Sequence, residues 1–143
     1  MKCCVMLNAL LNNAQVMSYD DNAEVLDACY DAIDCDTIQM VPLWPDRMPK
    51  GYVAVCDEDV HGKAPIINPM ASWLYGTDDH GQPITRNALV WKEIEDDFDF
   101  MTEEEAQKLA DFFNEKAAEI FSAVVDGVIK ATCPEYIHRP ATE

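Results

Sequence analysis

Basic residues are scarce in this chain of 143 residues: ten lysines and arginines stand against 27 aspartates and glutamates, and the formal net charge at pH 7 is −17. Binding to a nucleic-acid backbone requires a basic surface that displaces counterions, so we expect no direct nucleic-acid binding. An anionic membrane would repel the chain for the same reason. A basic partner protein would instead be attracted and steered toward it. Acidity also maintains solubility, and the charge alone does not separate these two roles.

Long apolar runs and recognised metal or phosphate motifs are also missing. The apolar stretch 3–11 is too short to span a membrane and follows only Lys2, so we expect no signal peptide, no transmembrane helix and a cytoplasmic location. The six cysteines contain no C-x-x-C pair, which argues against a zinc site and for reduced thiols that are mostly buried as small hydrophobic side chains. Since no Gly-rich phosphate loop is present either, we expect no metal and no cofactor.

Two acid–histidine clusters, at Asp57–His61 and Asp78–His80, are the candidates for acid–base catalysis or metal binding. Neither combines a nucleophile with a base and an orienting group, and neither has a recognised metal-ligand spacing. Both are typical of solvated turns. We therefore expect that the protein is not an enzyme.

Periodicity and turn residues predict a single α+β domain over residues 1–131, followed by a loose C-terminal tail over 132–143. Alternating or apolar runs between turn signals predict a mainly antiparallel sheet. The predicted strands cover residues 2–8, 15–19, 36–44 and 52–56, and a last segment leads from 84 to 100 as one long bent strand or as two pieces. Residues 77–83 are predicted to form a mobile loop.

Three helices are predicted, the first from about 21 to 33. A short second helix has Asn68 as its N-cap, Pro69 at its first position and Gly76 after its end. The long C-terminal helix starts with the capping box Thr102–Glu105 and continues to about residue 131. Its apolar residues recur at helical spacing and are expected to form one buried stripe: Ala106, Leu109, Ala110, Phe113, Ala117, Ile120, Phe121, Val124 and Val128.

The segment Glu93–Glu105 is the most acidic, with eight acidic residues among thirteen and none that is basic. Its first part alternates acidic and mostly apolar residues, which predicts a half-buried strand with the acids outward. Alternate residues of a strand repeat every ~6.6–6.8 Å, similar to the roughly 6–7 Å between successive phosphates of a nucleic-acid strand. We therefore expect a phosphate-like ladder of acids and a second acidic row on the following helix. The ladder consists of Glu93, Glu95, Asp97 and Asp99, and the second row of Asp111, Glu115 and Glu119. The open alternative is that these acids only keep an edge strand soluble.

A second hypothesis places a ligand pocket beside the short helix. Asn68, Trp73 and Tyr75 would wall it, and Arg86 would bind the anionic group of a small molecule such as a signalling nucleotide. A helix that only packs on the core remains the alternative.

Short motifs between Gly51 and Trp91 carry a family resemblance. They are Gly51-Tyr52-Val53 opening a strand, Gly62-Lys63 in the next turn, Asn68-Pro69-x-Ala71-x-x-Leu74-Tyr75-Gly76, and the hydrophobic strand Ala88-Leu89-Val90. This segment resembles an uncharacterised family of small proteins carried by phages and mobile elements of gut bacteria. Members usually have a glycine just before the last strand, where this chain has Arg86-Asn87. The resemblance implies an α+β fold and a phage or mobile-element setting in a bacterial cell, and it implies no activity.

Charge and setting together favour a non-enzymatic protein that inhibits a host defence factor, as an anti-CRISPR or anti-restriction protein does. Its acidic, nucleic-acid-mimicking surface would occupy the basic site of a nucleic-acid-binding partner. Two alternatives stay open. One is a module that sequesters an anionic signalling nucleotide, and the other is an accessory protein that forms a homodimer through the C-terminal helix.

Overall fold

The sheet has six strands in a computed structural model that describes residues 1–133. The strands are β1 (Lys2–Asn8), β2 (Asn13–Tyr19), β3 (Ile38–Met40), β4 (Tyr52–Asp57), β5 (Ala88–Ile94) and β6 (Asp97–Asp99). Their order is β2-β1-β5-β4-β3, and β6 pairs with the end of β5. Every strand pair is antiparallel, so the predicted mainly antiparallel sheet is confirmed.

The interior strand β1 is apolar from Cys3 to Leu7, and both of its faces are covered. Cys3, Val5 and Leu7 point into one core, and Cys4 and Met6 point into the other. Successive side chains of a strand alternate between its faces, so an uninterrupted apolar run marks a strand that lies between two layers.

Within residues 1–133, five helices cover the two faces of the sheet. They are α1 (Val25–Ala32), α2 (Pro69–Tyr75), α3 (Thr77–His80), α4 (Glu103–Glu115) and α5 (Ala117–Thr132). Helix α1 lies on one face, and α4 packs on β1 and β2 on the other, where α2 and α5 contribute to the same core. Helix α3 packs on α5, where a Cβ on Gly127 would lie 2.5 Å from the Thr77 carbonyl oxygen. The α+β fold class is thus confirmed.

Several predicted boundaries were wrong. Helix α1 begins at Val25 rather than near residue 21, and its N-cap Glu24 makes no side-chain cap bond. The strand predicted over 36–44 is formed only over Ile38–Met40, since the chain reaches Pro42 two residues later and proline cannot donate to a ladder. The predicted mobile loop 77–83 contains helix α3. Thr132 belongs to α5, and the rest of the predicted tail, from 134 onward, lies outside the described residues.

The C-terminal helical segment is divided at Lys116, which the sequence did not indicate. The Lys116 amide donates to the Phe113 carbonyl three residues back (3.1 Å), a tighter turn than the α-helical one. The division lets α4 follow β1 and β2 while α5 follows α2 and α3. Most of the predicted stripe is buried, but Phe121 is 41% exposed and faces away from the core.

Candidate functional site

The acidic segment folds as a tight hairpin, so the prediction of a ladder along one strand was wrong. Strand β5 ends at Ile94, Glu95 and Asp96 form a two-residue turn, and β6 begins at Asp97. The turn reverses the chain within the predicted ladder. We call residues 93–99 the acidic hairpin.

The acids of the acidic hairpin also point to different sides. Lys92 pairs with Asp99 and Ile94 with Asp97, and opposed residues of an antiparallel pair share a face. Asp97 and Asp99 therefore lie on the side of α4, toward which Lys92 extends. Glu93 lies on the opposite side, two residues after the core residue Trp91. No single row of four acids exists at the expected spacing.

Aromatic packing fixes the acidic hairpin to the body of the protein. The Trp91 ring lies 6.0 Å from that of Phe98 and 5.0 Å from that of Phe100, centroid to centroid. The Phe98 amide donates to the Asp97 carboxylate (2.8 Å), and the Phe100 amide donates to the Asp99 carboxylate (2.7 Å). The predicted alternation of exposed acids and packed phenylalanines is thus correct for β6. The acidic hairpin presents its charges from a fixed backbone.

The charges of the acidic hairpin are not compensated. All five acids, Glu93, Glu95, Asp96, Asp97 and Asp99, are exposed, and no ion pair within residues 1–133 involves any of them. Lys92, which stands opposite Asp99 in the strand pair, pairs with Glu105 instead (3.0 Å). Like charges crowded on a surface create a strong local potential that falls with salt.

Glu105 belongs to the scaffold beside this surface rather than to the uncompensated group. Its carboxylate accepts from Lys92 and from the Tyr52 hydroxyl (3.1 Å), and it also closes the predicted capping box with Thr102. The hydrogen bond from Lys92, followed by those from Thr102 and Tyr52, lowers the pKa of Glu105 to about 2. Glu105 therefore ties β4, β5 and the start of α4 together.

The predicted second acidic row does not lie beside the acidic hairpin. Asp111, Glu115 and Glu119 are exposed, but α4 runs away from the acidic hairpin toward the β1–β2 turn, where Asn114 bonds both backbone groups of Ala14. Glu115 lies about 15 Å along the helix from Glu105 at 1.5 Å per residue. The break at Lys116 separates it from Glu119.

The structure places the four residues of the predicted ligand pocket in different surroundings, and the pocket stays a prediction. Asn68 is fully buried, and its amide bonds are used within the protein. Trp73 packs against Phe112, with ring centroids 6.5 Å apart, and Tyr75 packs against a histidine ring. Arg86 borders a cavity with its side chain, while its carbonyl accepts from the Asn68 amide nitrogen (2.9 Å).

The two acid–histidine clusters serve the local structure. Asp57 is buried and paired with Lys63, while His61 is exposed. The Asp78 carboxylate accepts hydrogen bonds from both terminal nitrogens of Arg47. Nowhere in the described part of the chain do three or more metal-ligating side chains come together.

Sequence reasoning missed Arg47, which fastens the loop before β4 to α2 and α3. Its guanidinium group lies 5.2 Å from the Trp73 ring and donates to the Trp73 carbonyl (2.7 Å) in addition to Asp78. Its partners lie 26 and 31 residues further along the chain. No local pattern signals a contact of that kind.

The cysteines behave as predicted, since none is in a disulfide and five of the six are buried. Burial raises the pKa of Cys29 to about 12, and it also raises the pKa values of Cys4, Cys35 and Cys56. Cys133 is exposed. These four thiols are therefore poor nucleophiles.

Comparison with known proteins finds no match to this chain among family models, curated proteins or solved structures. Among residues 1–133, no helix has both the length and the apolar character needed to cross a membrane.

Proposed function

We propose that the protein binds a basic partner protein through the acidic hairpin. In the phage or mobile-element setting that the sequence resemblance implies, the partner is a nucleic-acid-binding host defence factor, and the protein inhibits it by occupying its basic site. The observation that carries this proposal is the set of five exposed acids on a fixed hairpin, none of them in an ion pair within residues 1–133.

Two physical consequences of this arrangement favour binding. The net charge of −17 attracts a basic partner over a distance of about a Debye length and accelerates their encounter. The packing of Phe98 and Phe100 on Trp91 orders the acids beforehand, so less conformational entropy is lost on binding.

The mimicry proposed is one of charge density rather than of regular phosphate spacing. Glu95 and Asp96 project at the turn, while Asp97 and Asp99 lie on one side of the acidic hairpin and Glu93 on the other. A projecting acidic turn fits a basic groove that surrounds it on both sides. A flat basic surface would engage only one side.

The test begins with affinity purification from the bacterium that carries the gene and mass spectrometry of the captured protein. Binding of that protein is then measured for the wild type and for a variant with Glu93→Gln, Glu95→Gln, Asp97→Asn and Asp99→Asn. We expect this variant to bind at least tenfold more weakly, a loss of about 1.4 kcal/mol. An oligonucleotide ligand of the partner should compete with the wild-type protein.

A matched control carries Asp21→Asn, Glu24→Gln, Asp27→Asn and Asp31→Asn, four exposed acids around α1. It removes the same number of charges from another part of the surface, so it should retain most of the affinity. Equal losses of affinity in the two variants would show that only net charge matters. A captured partner that binds no nucleic acid in competition with the protein would contradict the inhibitory mechanism.

A further inference from the structure

Arg86 borders a small cavity that the acidic hairpin does not involve. The cavity has a volume of about 190 Å³ and lies between the β1–β2 turn, the end of α1, the segment before α2 and the segment before β5. Leu10, Ile33 and Ile66 give it apolar walls, and Arg86 and Asn87 give it polar ones. Asp34 also lines it.

The Arg86 side chain lacks the partner that a half-buried guanidinium normally has. Its Nε atom is buried and makes no hydrogen bond, and no carboxylate among residues 1–133 forms an ion pair with it. Buried charges in proteins are normally paired, because desolvation without a partner is costly. The chain has 27 acidic residues, so a carboxylate partner for Arg86 would be expected.

The backbone holds Arg86 in a left-handed conformation that glycine, asparagine and aspartate adopt readily and that costs energy for an arginine. Its φ angle is +68°. Its amide donates to the Ile66 carbonyl (2.7 Å), and its carbonyl accepts from the buried Asn68 side chain (2.9 Å). Strain of this kind persists where the surroundings determine the conformation, and it is concentrated at binding sites. Members of the family that this segment resembles usually have a glycine near this position. The arginine therefore carries a conformational strain that glycine would avoid.

We propose that this cavity binds a small aliphatic monocarboxylate. The planar guanidinium group of Arg86 matches a carboxylate with two parallel hydrogen bonds, and its two terminal nitrogens would be the donors. The carbon chain would lie against Leu10, Ile33 and Ile66. Asp34 at the same cavity disfavours a second negative charge on the ligand.

The volume also sets the size of the ligand. Pockets for drug-sized ligands span about 300–1,000 Å³, so a cavity of this size suits a short chain of a few carbon atoms. A signalling nucleotide is both larger and more highly charged. The sequence suggested an anionic ligand such as a nucleotide. The size of the cavity instead favours the small carboxylate proposed here.

The test is a titration of the ¹³C-methyl-labelled protein with isovalerate, valine, succinate and inorganic phosphate, followed by NMR. We expect isovalerate to shift the methyl signals of Leu10, Ile33 and Ile66, with weaker effects from succinate and none from phosphate. Valine distinguishes the source of the carboxylate: tighter binding than isovalerate identifies a free amino acid, with its ammonium group near Asp34, and weaker binding identifies a simple carboxylic acid.

Two variants decide whether Arg86 and the cavity are responsible. Arg86→Gly removes the guanidinium group and suits the positive φ, so it should bind isovalerate at least tenfold more weakly without a loss of thermal stability. Ala32→Leu fills the cavity from the end of α1 and should also abolish binding, which covers the case in which Arg86→Gly fails to fold. Lys50→Gln removes an exposed charge elsewhere and should bind as the wild type does. The absence of methyl shifts with millimolar isovalerate, or unchanged binding by Arg86→Gly or Ala32→Leu, would overturn the proposal.

Discussion

At the scale of single residues, Asn68 connects three segments that are distant in sequence. Its side-chain oxygen accepts from the Ala71 amide and caps α2, while its amide nitrogen donates to the carbonyls of Leu7 and Arg86. The residue is fully buried, so each of these backbone groups would lose its partner without gaining water. Asn68 thus holds the end of β1, the start of α2 and the strained turn at Arg86 in one arrangement.

Replacing Asn68 with alanine should lower the free energy of unfolding by about 3 kcal/mol. Loss of the cap accounts for about 1 kcal/mol, and the two carbonyls left without this donor, one buried and one partly buried, account for the remainder at roughly 1 kcal/mol per group, the lower end of the usual cost. Thr102→Ala, which removes an exposed cap whose side chain bonds Glu105 within the same helix start, is the matched control and should cost about 1 kcal/mol. Urea unfolding measures both, and equal losses would mean that the bonds to Leu7 and Arg86 contribute nothing.

Only part of what Asn68 does could be predicted from the sequence. An asparagine followed by proline marks a helix start through contacts within three residues, and that prediction was correct. The carbonyls of Leu7 and Arg86 lie 61 and 18 positions away, where no periodicity or spacing rule applies. The cavity at Arg86 was missed for the same reason, since four separate parts of the chain form it.

At the scale of secondary-structure elements, predictions succeeded where local chemistry fixes an end and failed where a pattern continued across a break. Thr102 and Glu105 cap α4, and Gly76 ends α2, all as predicted. The turn at Glu95 was missed because the alternation continues through it and glycine, the usual residue at positive φ, is absent. The division at Lys116 was missed because the apolar stripe has the same period on both sides.

Glu105 makes the junction between β4, β5 and α4 sensitive to acid. Because its pKa in the folded protein is about 2, below the ordinary 4.5, its hydrogen bonds stabilise the fold fully above pH 4.5 and progressively less as the pH falls toward 2. In Glu105→Gln, the free energy of unfolding should therefore depend less steeply on pH between 4.5 and 2. Chemical unfolding at several pH values measures this slope.

Glu104→Gln is the matched control for that series, since Glu104 is exposed and pairs only with Lys108 one turn away. Its acid dependence should follow that of the wild type. Parallel curves for the wild type and Glu105→Gln would contradict the assigned role of the Lys92–Glu105 pair.

At the scale of the whole molecule, an apolar groove lies apart from the acidic hairpin. A groove of about 430 Å³ runs along α5 and the β1–β2 turn, and no charged residue lines it. Leu10, Ile67, Phe121 and Val125 border it, and each is at least one third exposed. In a molecule with a net charge of −17, this groove is a surface where a second copy could approach with the least local repulsion. The homodimer predicted from the C-terminal helix stays a prediction, with this groove as its interface.

Salt separates the two kinds of association, because its effect on them has opposite sign. Binding of a basic partner through the acidic hairpin should weaken as salt screens the attraction, whereas a dimer through the apolar groove should strengthen as salt screens the repulsion between like-charged copies. Light scattering at several protein concentrations, in low and high salt, measures the dimer fraction.

Phe121→Gln with Val125→Gln should abolish the dimer without unfolding the protein, since both side chains are 41% exposed. Leu26→Gln, at an apolar residue of α1 that is 51% exposed, should leave it unchanged. A wild-type protein that stays monomeric at every concentration and salt would exclude the dimer.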